Sequence, residues 1–266
     1  MNHLLWPTSI LTVLLFWLGT LAEKKLARAP ARLGLIAFVT VFALPGLLFA
    51  GYYTKLLGEP IWFYQFRAVP GTELAAAGVG LLAGFVHQAR HKYRLLKTQF
   101  RALTIPLILA VITIAPYVKP LLRPLNKRQL TEQWKDDVCL QSTSSTCGPA
   151  SAATIAKALG KNITEGELAC DSLTYAGGTE NWYLARALRN RGFKVEFKAI
   201  SPDARTFPTP AIAGVKLPPG TGHFIALISS DGTNYIGSDP LTGKFSATLA
   251  GLKSSYQFTG FFLEFE

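Results

Sequence analysis

The chain has 266 residues, 49% of them hydrophobic, and a formal net charge of +11. Residues 1–118 carry 11 Lys and Arg but only three acidic residues, whereas residues 119–266 carry 16 Lys and Arg and 13 acidic residues. The basic residues of the first half cluster between apolar stretches, where they set membrane topology, so this charge argues against a nucleic-acid-binding protein.

Four apolar segments occupy the N-terminal half, at about 4–22, 34–54, 72–89 and 102–119. Each is close to the ~20 residues that a helix needs to cross a bilayer, so we predict an all-α domain of four transmembrane helices over residues 1–122. The third segment is short and rich in Ala and Gly, which favours close packing against a neighbouring helix. The first resembles a signal peptide, but no basic residue precedes it and no clear cleavage site follows, so we interpret it as a retained helix.

The charges of the connections predict the orientation of these helices. The first and third connections carry four and five Lys and Arg residues and are expected in the cytoplasm. The second connection, 55–71, carries only two, together with four aromatic residues typical of a membrane interface. Four basic residues after the fourth segment oppose this orientation. The count is then nine Lys and Arg residues on the predicted cytoplasmic side and six on the other side.

We therefore expect a multi-pass protein of a bacterial inner membrane whose C-terminal domain is extracytoplasmic. If the third segment does not insert, that domain lies in the cytoplasm instead.

His87 and His91 are four residues apart, a spacing that metal ligands on a helix can have, but no third ligand is nearby. We interpret both as polar residues at the cytoplasmic end of the third helix and predict no metal and no cofactor.

After a linker at 123–132, residues 133–266 have the pattern of an α+β domain. Helices are predicted at 148–159, at about 165–173 behind a capping box of Thr164 and Glu167, and at 180–191 with Thr179 as the cap. Strands are predicted at 193–198, 211–217, 223–228, 234–238 and 257–265, with a turn at Asp231-Gly232. Helices followed by strands favour helices packed on a mostly antiparallel sheet.

Four polar residues of this domain fit the chemistry of a cysteine hydrolase. Cys147 directly precedes a predicted helix start at Gly148-Pro149, and a helix N-terminus and a nearby imidazolium both stabilise a thiolate nucleophile. His223 is the only histidine outside the apolar half, which makes it the only candidate base. Asp239 ends the next strand and can fix the imidazole tautomer. Gln141 can return its amide to the backbone N–H of Cys147 and complete an oxyanion hole.

Each of these residues also has a less specific interpretation. A cysteine in a helix of small residues is commonly a buried structural thiol, and a histidine in a strand can be a satisfied core residue. An Asp-Pro pair is typical of a turn, and a loop glutamine can be a solvated amide. The catalytic interpretation is favoured because a nucleophile, a base, an orienting acid and an oxyanion donor occur together in one short region.

In order and spacing these residues resemble the bacteriocin-leader-processing cysteine peptidases, the double-glycine peptidase family of papain-like fold. The resemblance covers about 133–265 and rests on Gln141, Cys147-Gly148, His223-Phe224 and Asp239-Pro240. It implies that Cys147 is the nucleophile, His223 the general acid and base, Asp239 the orienting acid and Gln141 the oxyanion donor.

The chain departs from the family members that are fused to exporters. Those members carry an acidic residue before the nucleophile, where this chain has Thr146, and they place the peptidase before a membrane domain and an ATPase. These 266 residues contain no G-x-x-x-x-G-K-[ST] loop. The resemblance therefore does not imply leader removal coupled to ATP-driven export.

We predict a membrane-anchored thiol protease that hydrolyses a bond in a peptide or protein near the membrane surface, after small residues such as glycine. Its predicted partners are this substrate and the lipid bilayer, and no nucleic acid. Two alternatives stay open. One is an inactive peptidase-like module that binds a peptide for a membrane partner protein. The other is a transferase that passes the thiol-acyl intermediate to an amine.

Cys139 and Cys170 complete the cysteine content of the chain. In an extracytoplasmic domain they can form a disulfide that ties the entry strand to the second helix of the domain. The alternative is two free buried thiols, and the sequence favours neither.

Overall fold

The computed structural model describes residues 3–26, 30, 32–58, 60–93 and 104–266. The chain forms two compact units. The first unit comprises Met1–Pro60 and Val69–Leu121, and the second comprises Ile61–Ala68 and Leu122–Glu266.

The apolar half of the chain is helical. Its helices are α1 (Leu5–Leu26), α2 (Arg32–Tyr53), α3 (Ile61–Ala68), α4 (Gly78–Tyr93), which a 3-10 helix at Thr72–Ala77 precedes, and α5 (Thr104–Leu122). Two of them, α1 and α2, are long and apolar enough to span a membrane. A third candidate span exists only if α3 and the helical segment after it, which are bent by 107° relative to each other, are counted as one broken span. Helix α5 contains a shorter apolar stretch. Four spans therefore remain a prediction.

Within the first unit, α1 and α4 pack at backbone contact. A Cβ atom at Gly80 would lie 2.4 Å from the carbonyl oxygen of Thr12, and one at Gly84 would lie 1.9 Å from that of Phe16. Only glycine allows this approach, which is the close packing expected from the small residues of the third segment. Large apolar side chains of α1 and α2 meanwhile point outward. They include Trp6, Leu14, Trp17, Phe38 and Val41.

The second unit contains a six-stranded antiparallel sheet with the strand order β3-β8-β4-β5-β6-β7. Its strands are β3 (Val195–Ala199), β4 (Ala211–Leu217), β5 (Thr221–Ser230), β6 (Asn234–Asp239), β7 (Gly243–Thr248) and β8 (Gln257–Phe265). A separate hairpin is formed by β1 (Gln133–Lys135) and β2 (Val138–Leu140). The helices are α6 (Cys147–Ala158), α7 (Glu165–Asp171), α8 (Asn181–Asn190) and α9 (Leu249–Ser255). The predicted α+β fold is confirmed.

The predicted helix caps were partly correct. Thr164 and Glu167 form the predicted capping box at the start of α7. Thr179 does not cap the third helix, because α8 begins one residue later with Glu180 at the N-cap, and the Thr179 hydroxyl instead bonds the Thr174 hydroxyl at 2.7 Å. The hairpin β1–β2, strand β7 and helix α9 were not predicted. The two strands of the hairpin have three residues each, too few to show a periodic pattern.

Helix α6 packs against strand β5 of the sheet. The central strand β4 is buried continuously from Ala211 to Val215, as expected for a strand covered on both faces. Small residues of α6 allow it to approach the sheet, and the Ser151 hydroxyl donates to the carbonyl oxygen of Phe224 on β5 at 3.2 Å. The N-terminal end of α6 therefore lies close to the residue before Phe224, which is His223.

Candidate active site

Cys147 is the first residue of α6 and is largely buried. The loop before it is held by Thr146, whose hydroxyl donates to the carbonyl oxygen of Thr143 at 3.0 Å and accepts from the Thr143 N–H at 3.1 Å. The N–H groups of a first helical turn have no acceptor within their helix, so they present a positive end to the Cys147 side chain. Gly148 follows, and a Cβ atom there would lie 3.3 and 3.4 Å from side-chain carbons of Leu184 and Phe224.

His223 and Asp239 are brought together by two adjacent strands. Nε2 of His223 on β5 lies 2.8 Å from Oδ1 of Asp239 at the end of β6. Both side chains are almost completely excluded from solvent. Because Nε2 is bonded to the carboxylate, Nδ1 is the ring nitrogen left for Cys147.

The environment of His223 favours the imidazolium. Burial alone would lower its pKa, but hydrogen bonds to Asp239 and Cys147, together with the charges of both groups, outweigh burial and raise the pKa from 6.5 to about 9. Cys147 is therefore one of the two groups that raise the pKa of the imidazole. The site has the arrangement of an imidazolium between a carboxylate and a cysteine side chain.

Asp239 is held on both oxygens. Oδ1 also accepts from the backbone N–H of Leu241 at 2.9 Å, and Oδ2 accepts from the hydroxyl of Tyr256 at 3.1 Å. Burial acts to raise the pKa of Asp239, but the hydrogen bonds from His223, Leu241 and Tyr256 hold it below its ordinary value. Burial and the neighbouring Asp239 charge raise the pKa of Tyr256, so its hydroxyl stays protonated and available as a donor.

Gln141 lies beside this cluster, and its amide is hydrogen-bonded within the loop that precedes Cys147. Its backbone N–H donates to the carbonyl oxygen of Pro240 at 2.9 Å, which joins the loop before α6 to the turn after Asp239. Its side-chain Nε2 donates to the carbonyl oxygen of Thr143 at 2.8 Å, and its Oε1 is buried without a hydrogen-bond partner among the described residues. The predicted contact between the amide and the Cys147 N–H is therefore not made in this structure.

A buried carboxylate fixes the same loop. Glu165, fully buried at the start of α7, accepts from the backbone N–H of Ser142 at 2.8 Å with Oε1 and from the Ser142 hydroxyl with Oε2. Ser142 directly follows Gln141. No sequence motif indicated a role for Glu165 or Tyr256 at this site. Glu165 has the position of an ordinary first-turn residue next to the capping threonine, and no motif surrounds Tyr256.

The three cysteines are free, so of the two alternatives that the sequence left open the disulfide between Cys139 and Cys170 is not formed. Cys139 is buried, and burial, followed by the negative charges of Glu165 and Glu132, raises its pKa to about 12. Cys170 is exposed, so the alternative of two buried thiols holds only for Cys139. A thiol with so high a pKa reacts slowly, which distinguishes Cys139 from the cysteine beside the imidazolium.

The two histidines that the sequence placed at the end of the third apolar segment are His87 and His91. His87 lies on α4 with its ring 5.5 Å from that of Phe16, and the side chain of His91 lies outside the described residues. In the part of the chain that the structure describes, no group of three or more His, Cys, Asp and Glu side chains is arranged to hold a metal ion.

Comparison with known sequences identifies the second unit. Residues 135–266 match the Peptidase C39 family. An uncharacterized protein of Methanothermobacter thermautotrophicus is 33% identical over 114 residues, which are 41% of this chain and 75% of that protein.

Two solved structures are each similar to about half of the chain. One is the peptidase domain of Streptococcus ComA, described as a bi-functional ABC transporter involved in a quorum-sensing pathway, with 23% identity, a TM-score of 0.41, and coverage of 47% of this chain and 94% of that one. The other is a double-glycine-motif protease from an AMS/PCAT transporter in complex with its leader peptide, with 22% identity, a TM-score of 0.42, and coverage of 48% and 89%.

Proposed function

Because this chain belongs to the Peptidase C39 family, whose members are cysteine peptidases, we propose that it hydrolyses a peptide bond with Cys147, His223 and Asp239 as its catalytic triad. The observation that carries this proposal is the buried hydrogen bond between His223 and Asp239 beside the first residue of α6. Cys147 is the nucleophile, His223 the general acid and base, and Asp239 the group that orients the imidazole.

In the proposed reaction His223 is the imidazolium, the form that its raised pKa favours at neutral pH, and Cys147 reacts as the thiolate. The thiolate attacks the carbonyl carbon of the scissile bond and forms a C–S bond while the carbonyl π electrons move to oxygen. His223 then gives its Nδ1 proton to the departing amine, the C–N bond breaks, and a thioester remains. Water, deprotonated by His223, attacks the thioester and releases the acid and the Cys147 thiolate.

The oxyanion formed in both steps needs hydrogen-bond donors. The backbone N–H of Cys147 is one, because the first N–H groups of a helix have no acceptor in that helix. Gln141 supplies the second if its Nε2 leaves the carbonyl oxygen of Thr143 and turns toward the substrate. The unpaired Oε1 supports this role, because only one of the two polar atoms of this buried amide is hydrogen-bonded where it now lies.

We further propose that the peptidase is anchored in a membrane and cleaves a peptide or protein near the bilayer, after small residues such as glycine. Support for the anchor comes from α1 and α2, which are long enough to span a bilayer and expose large apolar side chains. The preference for small residues rests on the resemblance to the double-glycine peptidases.

The test uses the full-length protein and fluorogenic peptides that end in Gly-Gly before the leaving group. The wild type and a Cys170→Ala variant, which lacks the exposed thiol, are expected to cleave them, and Cys147→Ala is expected to lose cleavage by at least about 10³-fold. A wild type that binds these peptides as tightly as Cys147→Ala and releases no product supports the peptide-binding module instead. Transfer of the acyl group to an added amine in preference to water supports the transferase.

A further inference from the structure

A short helix from the middle of the apolar half is built into the second unit. Helix α3 belongs to that unit, although the chain on both sides of it belongs to the first unit. Its side chains Phe63, Tyr64 and Arg67 are buried. Isolated helices of fewer than ~12 residues are not stable in water, so these eight residues depend on the packing of those side chains.

Tyr64 is the centre of an aromatic cluster. Its ring centroid lies 6.0 Å from that of Trp182 on α8, 5.8 Å from that of Phe197 on β3 and 5.7 Å from that of Phe261 on β8. Phe63 meets Trp182 edge-on at 6.1 Å. Aromatic rings at these separations bury large areas and prefer defined orientations, so the cluster fixes where α3 lies on α8 and the sheet.

Arg67 makes the position of α3 specific. Its guanidinium carbon lies 5.0 Å from the ring centroid of Trp182, and its Nη2 donates to the hydroxyl of Tyr183 at 3.4 Å. Its carbonyl oxygen accepts from the guanidinium of Arg186. A buried cation is costly unless such contacts are made, so α3 cannot slide along this surface as a purely apolar helix can.

We infer that the face formed by α8, β3 and β8 is the docking site for α3, so that the peptidase domain is completed by residues 61–68 from the second connection of the apolar half. The sequence predicted a membrane interface for the aromatic residues of this connection. Two of them, Phe63 and Tyr64, lie in the core of the second unit instead.

This docking constrains how often the chain crosses the membrane. Residues 61–68 and 122–266 form one folded unit, which lies on one side of a bilayer. The chain that leaves this unit after Ala68 and re-enters it at Leu122 must therefore cross an even number of times. Helices α4 and α5 either both cross or both stay on one side, and the packing of α4 against the apolar α1 favours crossing.

The two sides then follow from charge. Five basic residues at 90–101 lie at the C-terminal end of α4 and in the connection that follows it. If α4 and α5 both cross, this connection is on the other side of the bilayer from the peptidase domain. Clusters of this kind stay in the cytoplasm, so the peptidase domain and α3 face the other side. A third segment that fails to insert would put α3 and the peptidase domain on opposite sides and separate Tyr64 from its aromatic partners.

Cysteine accessibility tests the sidedness in full-length protein in intact cells. In a background with Cys147→Ala and Cys170→Ser, single cysteines are introduced by Gln65→Cys on the exposed face of α3, Thr233→Cys in an exposed turn of the peptidase domain, and Lys97→Cys. A membrane-impermeant maleimide is expected to label the first two in intact cells and the third only after permeabilisation. Labelling of Gln65→Cys and Thr233→Cys from opposite sides overturns the inference.

Thermal unfolding of the full-length protein tests the docking itself. Tyr64→Ala is expected to lower the melting midpoint of the peptidase domain by about 5–15 °C, as for other large buried aromatic residues, whereas Gln65→Ala on the same helix is expected to shift it by less than about 2 °C. Tyr64→Leu, with an intermediate fall, keeps the test usable if Tyr64→Ala does not fold. Equal midpoints for Tyr64→Leu and Gln65→Ala contradict docking. Neither experiment measures hydrolysis, so each is independent of the proposed function.

Discussion

The hydroxyl of Tyr256 donates to Oδ2 of Asp239 at 3.1 Å, on the side of the carboxylate opposite His223. Tyr256 follows α9 and leads into β8, so it reaches the site from a different part of the sheet than β5 and β6. With the N–H of Leu241 on Oδ1, it leaves the carboxylate little freedom to rotate. Tyr256 therefore acts as a positioning residue, through Asp239, on the imidazole.

Replacement of Tyr256 by Phe is expected to raise the pKa of Asp239, because the Tyr256 hydroxyl is one of the groups that lower it. The acid limb of the pH–activity profile should move to higher pH, and kcat should fall by roughly 10–150-fold, the value of one hydrogen bond to a charged group. Tyr235→Phe is the matched control, since it removes a buried hydroxyl bonded to the Phe207 N–H, away from Asp239. An equal shift of the acid limb in both variants contradicts the positioning role.

The pKa of His223 predicts the alkaline limb. Acylation needs the imidazolium as the acid, so kcat/KM for the Gly-Gly peptides is expected to fall as pH rises through about 9. Asp239→Asn removes the carboxylate that favours the imidazolium, so its alkaline limb should move toward lower pH. pH–activity profiles measured for both proteins check this prediction. An alkaline limb that stays near pH 9 in Asp239→Asn would mean that Asp239 is not the group that raises the pKa of His223.

The same shift makes stability depend on pH. The folded pKa of His223, about 9, lies above the unfolded value of 6.5, so the folded state holds the proton more tightly. This contribution to the free energy of unfolding is fully present below about pH 6.5 and is lost as pH rises to about 9. Because Cys147 contributes to this shift, urea unfolding is measured on the protein that retains Cys147, at several pH values, and is expected to show this decline. His223→Gln in the same background should flatten it, and an equally steep decline in that variant would mean that other groups are responsible.

The residues that could be predicted from the sequence are those with local signals. Cys147 precedes a helix start, and His223 and Asp239 lie on strands that alternate or end in a turn, so their surroundings are visible within a few residues. Tyr256, Glu165 and α3 depend on contacts between distant segments. Tyr64 is more than 100 residues from Trp182, and no periodicity along the chain indicates that pairing. Gln141 was predicted to lie near the site with its amide at the backbone N–H of Cys147. In the structure the amide contacts the carbonyl oxygen of Thr143 instead.

Glu165 is expected to act on catalysis through the loop that carries Gln141. Its carboxylate is the acceptor for both the N–H and the hydroxyl of Ser142, so Glu165→Gln replaces a charged double acceptor with an amide that has one acceptor atom. The loop should lose its fixed position, and acylation of Cys147 by a glycyl p-nitrophenyl ester should slow by roughly 10-fold, about 1.4 kcal/mol, because the oxyanion donor is misplaced. The rate is read from the burst of p-nitrophenol.

Two comparisons separate this positioning role from a general loss of structure. Alkylation of Cys147 by iodoacetamide forms no oxyanion, so its rate should be nearly the same in Glu165→Gln and the wild type. The exposed Glu167 of the neighbouring capping box provides the matched variant, and Glu167→Gln should leave both rates close to those of the wild type. If Glu165 works through Gln141, then Glu165→Gln added to Gln141→Ala should cost little further, because interacting residues are not additive. Fully additive losses, or a parallel fall in the alkylation rate, would show that Glu165 stabilises the domain without positioning the oxyanion donor.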